Sequence, residues 1–599
     1  MKRVISFFIL LSVSVMAFSE SKAQDTIRHI KISVGQTYLN LPISESNPLT
    51  RMRISNGEQL LDQFTLKLTA DKPDYWVFFD VSRYQGKTLT VGVSNENIPM
   101  GGAFSNLTAA SNKNNAITRE NRIRGLQQVF AADHFPGQDS VYTEQKRPQA
   151  HYSARRGWIN DPNGLIYYNN EYHLFYQHNP YGWAWGNMHW GHATSSDLIH
   201  WKERPEAIYP FGEKDAAFSG SAVHDPLNTA GFRRNGIDPL IAVYTSTGRG
   251  ECIKLSYDNG LTFEEYEGNP ILEHQGRDPK VFWYEPGKHW VMVVWDSGMS
   301  KQMSTGDSAW MNQHLIYTSS DLKSWTYQSG VEGFFECPEL FELPITGVAG
   351  ETRWVMYDAT GRYVLGDFDG KQFSVTQSFR QYDYGGGGHF YASQIFNNTP
   401  DKRVIQQGWG RGLTHTAMPF NQPMLFPTEL QLKKSFDGLR LCPTPIREIA
   451  KLHRNSQTIS GKMIRPDSNL TLSVPSDAVH VKAEFEKGDA TVFGISVHGY
   501  ELAYDQLLGE FLTSQGEMNT KTHYANAASE SFTIEAIVDK NILEVFVNDG
   551  ELYFVLPFDH AKNNQVDTFI KGRGRNSKVL LKHLEVHQLA SIWTGAKHN

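Results

Sequence analysis

Three carboxylates stand where a charged side chain is costly. Asp161 lies in "RRGWINDPNGLIYYNNEYHLFYQHNP", Asp278 in "GRDPKVFW" and Glu336 in "GFFECPELFEL"; each has a proline one or two residues later and apolar, strand-forming neighbours. A carboxylate beside such residues is expensive unless it is paired or used. Each has a plainer account in isolation. Asn-Asp-Pro-Asn-Gly is dense in turn formers, so Asp161 can cap a turn; Arg277 can pair with Asp278; backbone amides can satisfy Glu336; and Cys337 reads as a small packing residue. Taken together, with amides and aromatics around them and no metal-ligand spacing, the three favour glycoside cleavage over metallo-hydrolysis. That chemistry needs one ionised carboxylate to attack the anomeric carbon and one protonated carboxyl to supply the leaving oxygen with its proton. Burial and mutual repulsion separate the two pKa values. A Ser/His/Asp hydrolase would need a G-x-S-x-G elbow, which is absent, and "FSGSAV" does not fit one.

The elements that must position these groups read as strands. Asp-centred turns followed by an apolar residue recur in "SSDLIHW", "SYDNGLTF", "SSDLKSW", "GDFDGKQF" and "KSFDGLRL", with Asp197, Asp258, Asp321, Asp369 and Asp437 about 48 to 68 residues apart. Strand-like runs such as "HWVMVVW" and "RWVMYDA" fill the intervals. Five such units in series predict a five-bladed β-propeller, because each unit must bury its faces against its neighbours. The first strand of each blade then lines one central channel, where the three carboxylates converge.

Before this region, "HIKISVG", "QFTLKLTA" and "KTLTVGVS" predict a small N-terminal β domain, followed by a mixed connector with a short helix near "ENRIRGLQQVF". After Pro445, "PIREIAKLHR" predicts a short helix and the runs "NLTLSVP", "SFTIEAIVD" and "NILEVFVNDGELYFVL" predict a β-sandwich, with Asn548-Asp549-Gly550 as a hairpin turn. The expected organisation is all-β: a leader over 1–23, an N-terminal β domain and connector over 24–145, a propeller over 146–445 and a sandwich over 446–599.

With 599 residues and 40% hydrophobic content the chain can bury several cores, and a net charge of −7 without a basic block lacks the footprint of a nucleic-acid binder. Lys2 and Arg3, an apolar run from Val4 to about Phe18 and Ala23 before Gln24 have the layout of a secretory signal peptide. No Cys follows the cut and no later apolar run is long enough for a membrane span. A periplasmic or secreted protein without a membrane anchor is expected. Cys252, Cys337 and Cys442 offer neither a disulfide framework nor a zinc pattern.

The ordered motifs "WINDPNG", "FYQHNP", "WGNMHWGHATS", "FSGSAV", "GRDP", "FECPELF" and "FYASQ" resemble glycoside hydrolase family 32, the β-fructofuranosidases (invertases, inulinases and levanases); with "AIVDKNILEVFVNDG" the resemblance spans about 147 to 598. It implies a propeller followed by a sandwich, retention of anomeric configuration, no cofactor, and a fructan, fructo-oligosaccharide or sucrose substrate. It further implies that Asp161 is the nucleophile, Glu336 the acid/base and Asp278 the stabiliser that holds fructose hydroxyls, while Asn160, Gln177, Trp185, Phe218, Ser219 and Arg277 shape the fructose pocket. Ile159 stands where Met is common in the family, and most members lack the domain before residue 146. The motifs leave hydrolysis and fructosyl transfer on the same scaffold unseparated, and an inactive fructan-binding propeller is the third reading; the three carboxylates argue against the last. A pocket closed around one terminal ring implies exo action.

Overall fold

The computed structural model describes residues 28–94 and 123–593, apart from short segments at 213–214, 275, 298–300, 303–307, 310–311, 382–387, 436, 516–517, 524–529, 559–562 and 572–576. The expected leader at 1–23 lies outside the described residues. Among the described residues, no helix is long and apolar enough to cross a membrane.

The chain is built of strands throughout. Near the N-terminus, Arg28–Ser33, Thr88–Val93, Thr50–Asn56 and Gln59–Leu66 form one antiparallel sheet in that spatial order, and Tyr75–Asp80, Tyr38–Ile43 and Phe130–Ala132 form another. Alternation sends every second side chain to the core. In Gln59–Leu66 it buries Asp62, Phe64 and Leu66 together, so one carboxylate shares a face with two apolar residues.

Residues 157–445 fold, among the described residues, into five successive antiparallel units of four strands, the first of which gains a short parallel fifth strand, with a two-stranded ribbon of Lys301–Gln302 and Ser308–Ala309 beside them. Their first strands are Gly157–Tyr168, Ala217–His224, Arg277–Tyr284, Glu339–Pro344 and Phe390–Ile395. The first packs against the second and against the fifth, and the second packs against the third. All five Asp turns join the third and fourth strands of their sheets. Asp197 accepts backbone N–H groups of Ile199 and His200, Asp321 those of Lys323 and Ser324, and Asp369 those of Lys371 and Gln372. Asp437 departs from the pattern, because Arg380 and Arg440 take its carboxylate instead. Phe420–Asn421, between the second and third strands of the fifth unit, pairs in parallel with Gly157 and Trp158 and ties that unit to the first.

Beyond that short parallel pairing, the facing edges of the first strands are joined by polar side chains rather than by a ladder. Ser221 donates to the Pro279 carbonyl (2.9 Å) and accepts from the Val281 N–H (2.9 Å). Asn397 donates to the carbonyls of Ala222 (2.9 Å) and Val281 (3.2 Å). Lys280 meets Glu339 at 2.8 Å, both buried; burial raises Glu339 to about 7 against the opposing pull of Lys280.

Two six-stranded sheets over 453–589 enclose a separate apolar core, with Asn548 and Asp549 at positive φ in the hairpin turn. "PIREIAKLHR" becomes a 3-10 helix, Arg447–Leu452. The sandwich meets the segment that leads into the first of these sheets, and the backbone N–H of Phe426, through a buried ionic cluster. His151 Nδ1 lies 2.9 Å from Asp539 and Nε2 lies 2.8 Å from Glu544, while Asp539 also accepts the N–H groups of Gln149 and Ala150. Burial drives an imidazole down, but the hydrogen bonds and charges of the two carboxylates outweigh it and raise His151 to about 9. The ordinary value is about 6.5. This contribution to stability is therefore whole below about pH 6.5 and is lost as pH rises through 9. We expect the urea midpoint to fall from pH 7 to 9.5, and His151→Gln to flatten that fall while costing roughly 3 kcal/mol at pH 6.5, as breaking a buried pair does; an unchanged pH slope in the variant would refute the assignment.

Candidate active site

The starts of the first strands share one local device. Gly157–Tyr168 pairs with Glu171–Asn179 as Ile159 with His178 and next as Pro162 with Tyr176, so one extra residue is inserted and Asn160 and Asp161 fall outside the ladder. The same slip occurs between Ala217 and Gly220, freeing Phe218 and Ser219; between Arg277 and Lys280, freeing Asp278; and between Tyr391 and Gln394. A bulge turns side chains out of the pleat and ends regular pairing. Pro162 and Pro279 fit there because they have no N–H to donate. Glu336 precedes the fourth of these strands in a turn whose Phe335 N–H is held by Asp358 at 3.1 Å. Asp278, Glu336, Cys337 and Ala392 all have positive φ, of 66°, 29°, 45° and 50°. Non-glycine residues adopt such angles only when their surroundings enforce them. Gly164 of the "NDPNG" motif is required by space as well as by its φ of 57°, since a Cβ there would meet the rings of Phe175 and Trp190 at 2.8 Å.

These devices bring the three carboxylates together. Asp161 Oδ1 accepts from Asn160 Nδ2 (3.0 Å), whose own Oδ1 accepts from Trp158 Nε1 (3.0 Å); Asp161 Oδ2 accepts from Ser219 Oγ (2.8 Å). Cys337 Sγ is 3.7 Å from Asp161 Oδ2 and 3.8 Å from Asp278 Oδ2, and its backbone N–H donates to Asp278 Oδ2 at 3.2 Å. Arg277 Nε is 3.7 Å from Asp278 Oδ2, its Nη2 donates to Glu336, and its guanidinium lies 4.1 Å from the centre of the Trp295 ring. Tyr391 donates its hydroxyl hydrogen to Glu336 Oε2 at 2.7 Å.

Crowding shows in the protonation preferences. Burial raises Asp161 above the ordinary carboxylate value and the charge of Glu336 adds to this, while the hydrogen bonds from Asn160 and Ser219 pull it back. Asp278 is pushed up to about 8, chiefly by burial, with Glu336 and Asp161 adding and Arg277 opposing. Cys337 is raised well above the usual thiol range by burial and by its anionic neighbours, so it is an uncharged filler.

The remaining sequence-predicted residues lie around this point at different depths. Phe218 follows Ala217 in the second bulge, and Trp185, 43% exposed, stands edge-on to it at 6.2 Å. Gln177 is buried and donates to the Ala217 carbonyl at 2.9 Å, so it holds the bulge that carries Ser219. Sequence reasoning missed Tyr391 and Cys337 as contacts of the carboxylates, and Trp158 and Trp295 as contacts of Asn160 and Arg277 beside them. Tyr391 and Trp158 sit inside the quoted motifs "FYASQ" and "WINDPNG" without being singled out; Trp295 closes an ordinary strand and carries no local signal.

Residues 151–445 match the model of the glycosyl hydrolases family 32 N-terminal domain, and residues 448–587 match that of the family 32 C-terminal domain. Residues 24–120 match a domain of unknown function. A levanase of Bacillus subtilis is 35% identical over 523 residues, covering 78% of this chain and 74% of the relative. An extracellular exo-inulinase of Aspergillus niger is 28% identical, covering 76% and 96%. Among solved structures, exo-inulinase from Aspergillus awamori aligns with a TM-score of 0.65 at 26% identity over 76% of this chain and 100% of that one. A fructofuranosidase from Schwanniomyces occidentalis complexed with fructosylnystose aligns with a TM-score of 0.66 at 26% identity, over 75% and 99%.

A buried carboxyl with a raised value destabilises the fold wherever its unfolded counterpart is ionised. For Asp278 the folded state takes up a proton between about pH 4, the ordinary value, and about 8, so stability falls with rising pH across that window. Asp278→Asn removes the penalty. The variant should have a higher urea midpoint than the parent at pH 8 and a smaller difference at pH 4.5; a midpoint below the parent's at both pH values would contradict this.

Proposed function

The chain belongs to glycosyl hydrolase family 32, and on that premise we propose that it is an exo-acting β-fructofuranosidase that releases terminal fructose from fructans, fructo-oligosaccharides and sucrose with retention of configuration. The observation that carries this reading is the meeting of Asp161, Asp278 and Glu336 around Cys337 and Arg277, in surroundings that differ for each carboxyl. A retaining reaction needs two carboxyls with different tasks.

Asp161 is assigned as nucleophile. The Asn160 and Ser219 donors favour its ionised form and aim it. It attacks the anomeric C2 of the fructosyl unit as the bond to the leaving oxygen breaks, and Glu336 delivers its proton to that oxygen. In the second half Glu336 takes a proton from water, the water oxygen bonds to C2, and the bond to Asp161 breaks. Tyr391 and Arg277 hold Glu336 from two sides and fix its reach. Asp278, buried and held by the Cys337 N–H, is assigned to the ring hydroxyls. Trp158, Trp185 and Phe218 supply flat apolar faces of the kind that pack on sugar rings. Exo action is supported by the exo-inulinases among the relatives and solved structures that the chain resembles. Relatives described as extracellular, and the export-signal layout of residues 1–23, support a secreted or periplasmic location.

Early digests of inulin and levan should contain fructose alone; a ladder of intermediate oligosaccharides would overturn exo action, and lengthening products would indicate transfer. Asp161→Ala should abolish turnover of every substrate. Glu336→Ala should lower kcat on sucrose by about 10²–10⁴-fold, the usual worth of a general acid, yet spare a fructoside whose leaving group needs no proton. Equal losses on both substrates would refute the division of roles.

A further inference from the structure

The segment 180–188, "PYGWAWGNM", joins the second and third strands of the first sheet and carries Trp185 to the mouth of the site. Gly182, Ala184 and Gly186 give it few side chains with which to order itself. Within the first sheet, Asn179 holds it by donating to the Ala184 carbonyl (2.8 Å) and accepting from the Tyr181 N–H (3.2 Å). Phe420 and Asn421 hold Trp183 from the other side, through its ring N–H and its carbonyl.

The N-terminal unit supplies the other grip. Gln59–Leu66 is the last strand of its sheet, and the open N–H and C=O of Thr65 are taken by one side chain: Thr65 N donates to Asn187 Oδ1 (2.8 Å) and Asn187 Nδ2 donates to Thr65 O (2.7 Å). The amide of Asn187 thus substitutes for a neighbouring strand. Phe64 stacks on Tyr181 at 3.5 Å and 15°, and Asp62 Oδ2 accepts the Tyr181 hydroxyl at 2.6 Å. Asp62 Oδ1 also lies 3.4 Å from His189 Nε2, at the start of the next strand. Tyr181 is counted in the apolar core of the N-terminal sheets although it belongs to the loop. Nearby, Phe78 covers the guanidinium of Arg156 at 3.4 Å, and Arg156 Nε donates to the Pro180 carbonyl (3.1 Å), fixing the loop's first residue.

We propose that the N-terminal unit is a positioning element of the substrate pocket: Asp62, Phe64 and Thr65 fix the loop 180–188 so that Trp185 stands ready for the sugar. This rests on the reading of Trp185 as a pocket wall. A loose loop would have to be ordered at each binding event, which weakens binding by about 3–10-fold per immobilised large side chain. The chemistry at Asp161 and Glu336 would be left intact.

The test uses the full chain. Tyr181→Phe, Asn187→Gly and Asp62→Leu should each raise KM for sucrose by about 3–10-fold with kcat within about twofold of the parent. Asp62→Asn keeps an acceptor for the Tyr181 hydroxyl and should restore KM. In a Trp185→Ala background, Asn187→Gly should add nothing, because both changes act through one ring. Unmoved KM in the loop variants, a fall confined to kcat, or additive effects in the Trp185→Ala background would overturn the proposal. Tyr181→Phe and Asn187→Gly carry the test if Asp62→Leu does not fold. Acrylamide quenching of Trp185, read as the difference between each variant and its Trp185→Phe partner, should rise in the loop variants whatever the substrate. A parent inactive on sucrose would count against the functional reading; an active parent with unchanged quenching and KM in its variants would count against positioning alone.

Discussion

Five strands that meet edge-on at one centre cannot all be hydrogen-bonded there as a sheet. Apart from the short pairing of Gly157 and Trp158 with Phe420–Asn421, the facing edges carry backbone groups that would be costly to bury unpaired. Ser221, Asn397 and the Lys280–Glu339 pair answer this by bonding sideways from one strand to the next. Everything else depends on that stitching. It keeps the first strands of neighbouring sheets in a fixed relation, so that bulges at their beginnings face one another and not solvent.

The same arrangement sets the cost of the site. Three of the four bulges free Asn160, Asp161, Phe218, Ser219 and Asp278, and the carboxylates Asp278 and Glu336 with their neighbours Cys337 and Ala392 are held at positive φ. Their conformations are imposed by sheets that are regular elsewhere. Cys337 occupies the space between two carboxylates without contributing a third charge at close range. An alanine would leave a gap there and an aspartate would add repulsion, so a small neutral thiol suits both requirements.

Much of this was readable in advance because it is local. The Asp turns, the Asn548-Asp549-Gly550 hairpin and the carboxylates followed by proline are each written in fewer than ten residues, and backbone chemistry forces their form. Asp437 shows the limit: its turn is there, but its carboxylate is claimed by Arg380, 57 residues away. The bulges were hidden because a slip in register belongs to two strands at once. Tyr391 and Trp295 were missed for a related reason, since nothing beside them in the chain says that Glu336 lies within reach of the one or that Arg277 lies over the other. The N-terminal unit showed itself as strands, yet its grip on Tyr181 and Asn187 joins segments more than a hundred residues apart.

The return of Phe420–Asn421 to Gly157–Trp158 has a kinetic side. Contacts this distant in sequence are slow to form, because a long loop must close before any bond repays it. While the chain is being made, the first sheet waits with its edge open until more than two hundred and fifty further residues have emerged. An open strand edge is a template for pairing with another chain. The strand left waiting is the one that bears Asp161, so the strand that carries the proposed nucleophile keeps an open edge through much of synthesis.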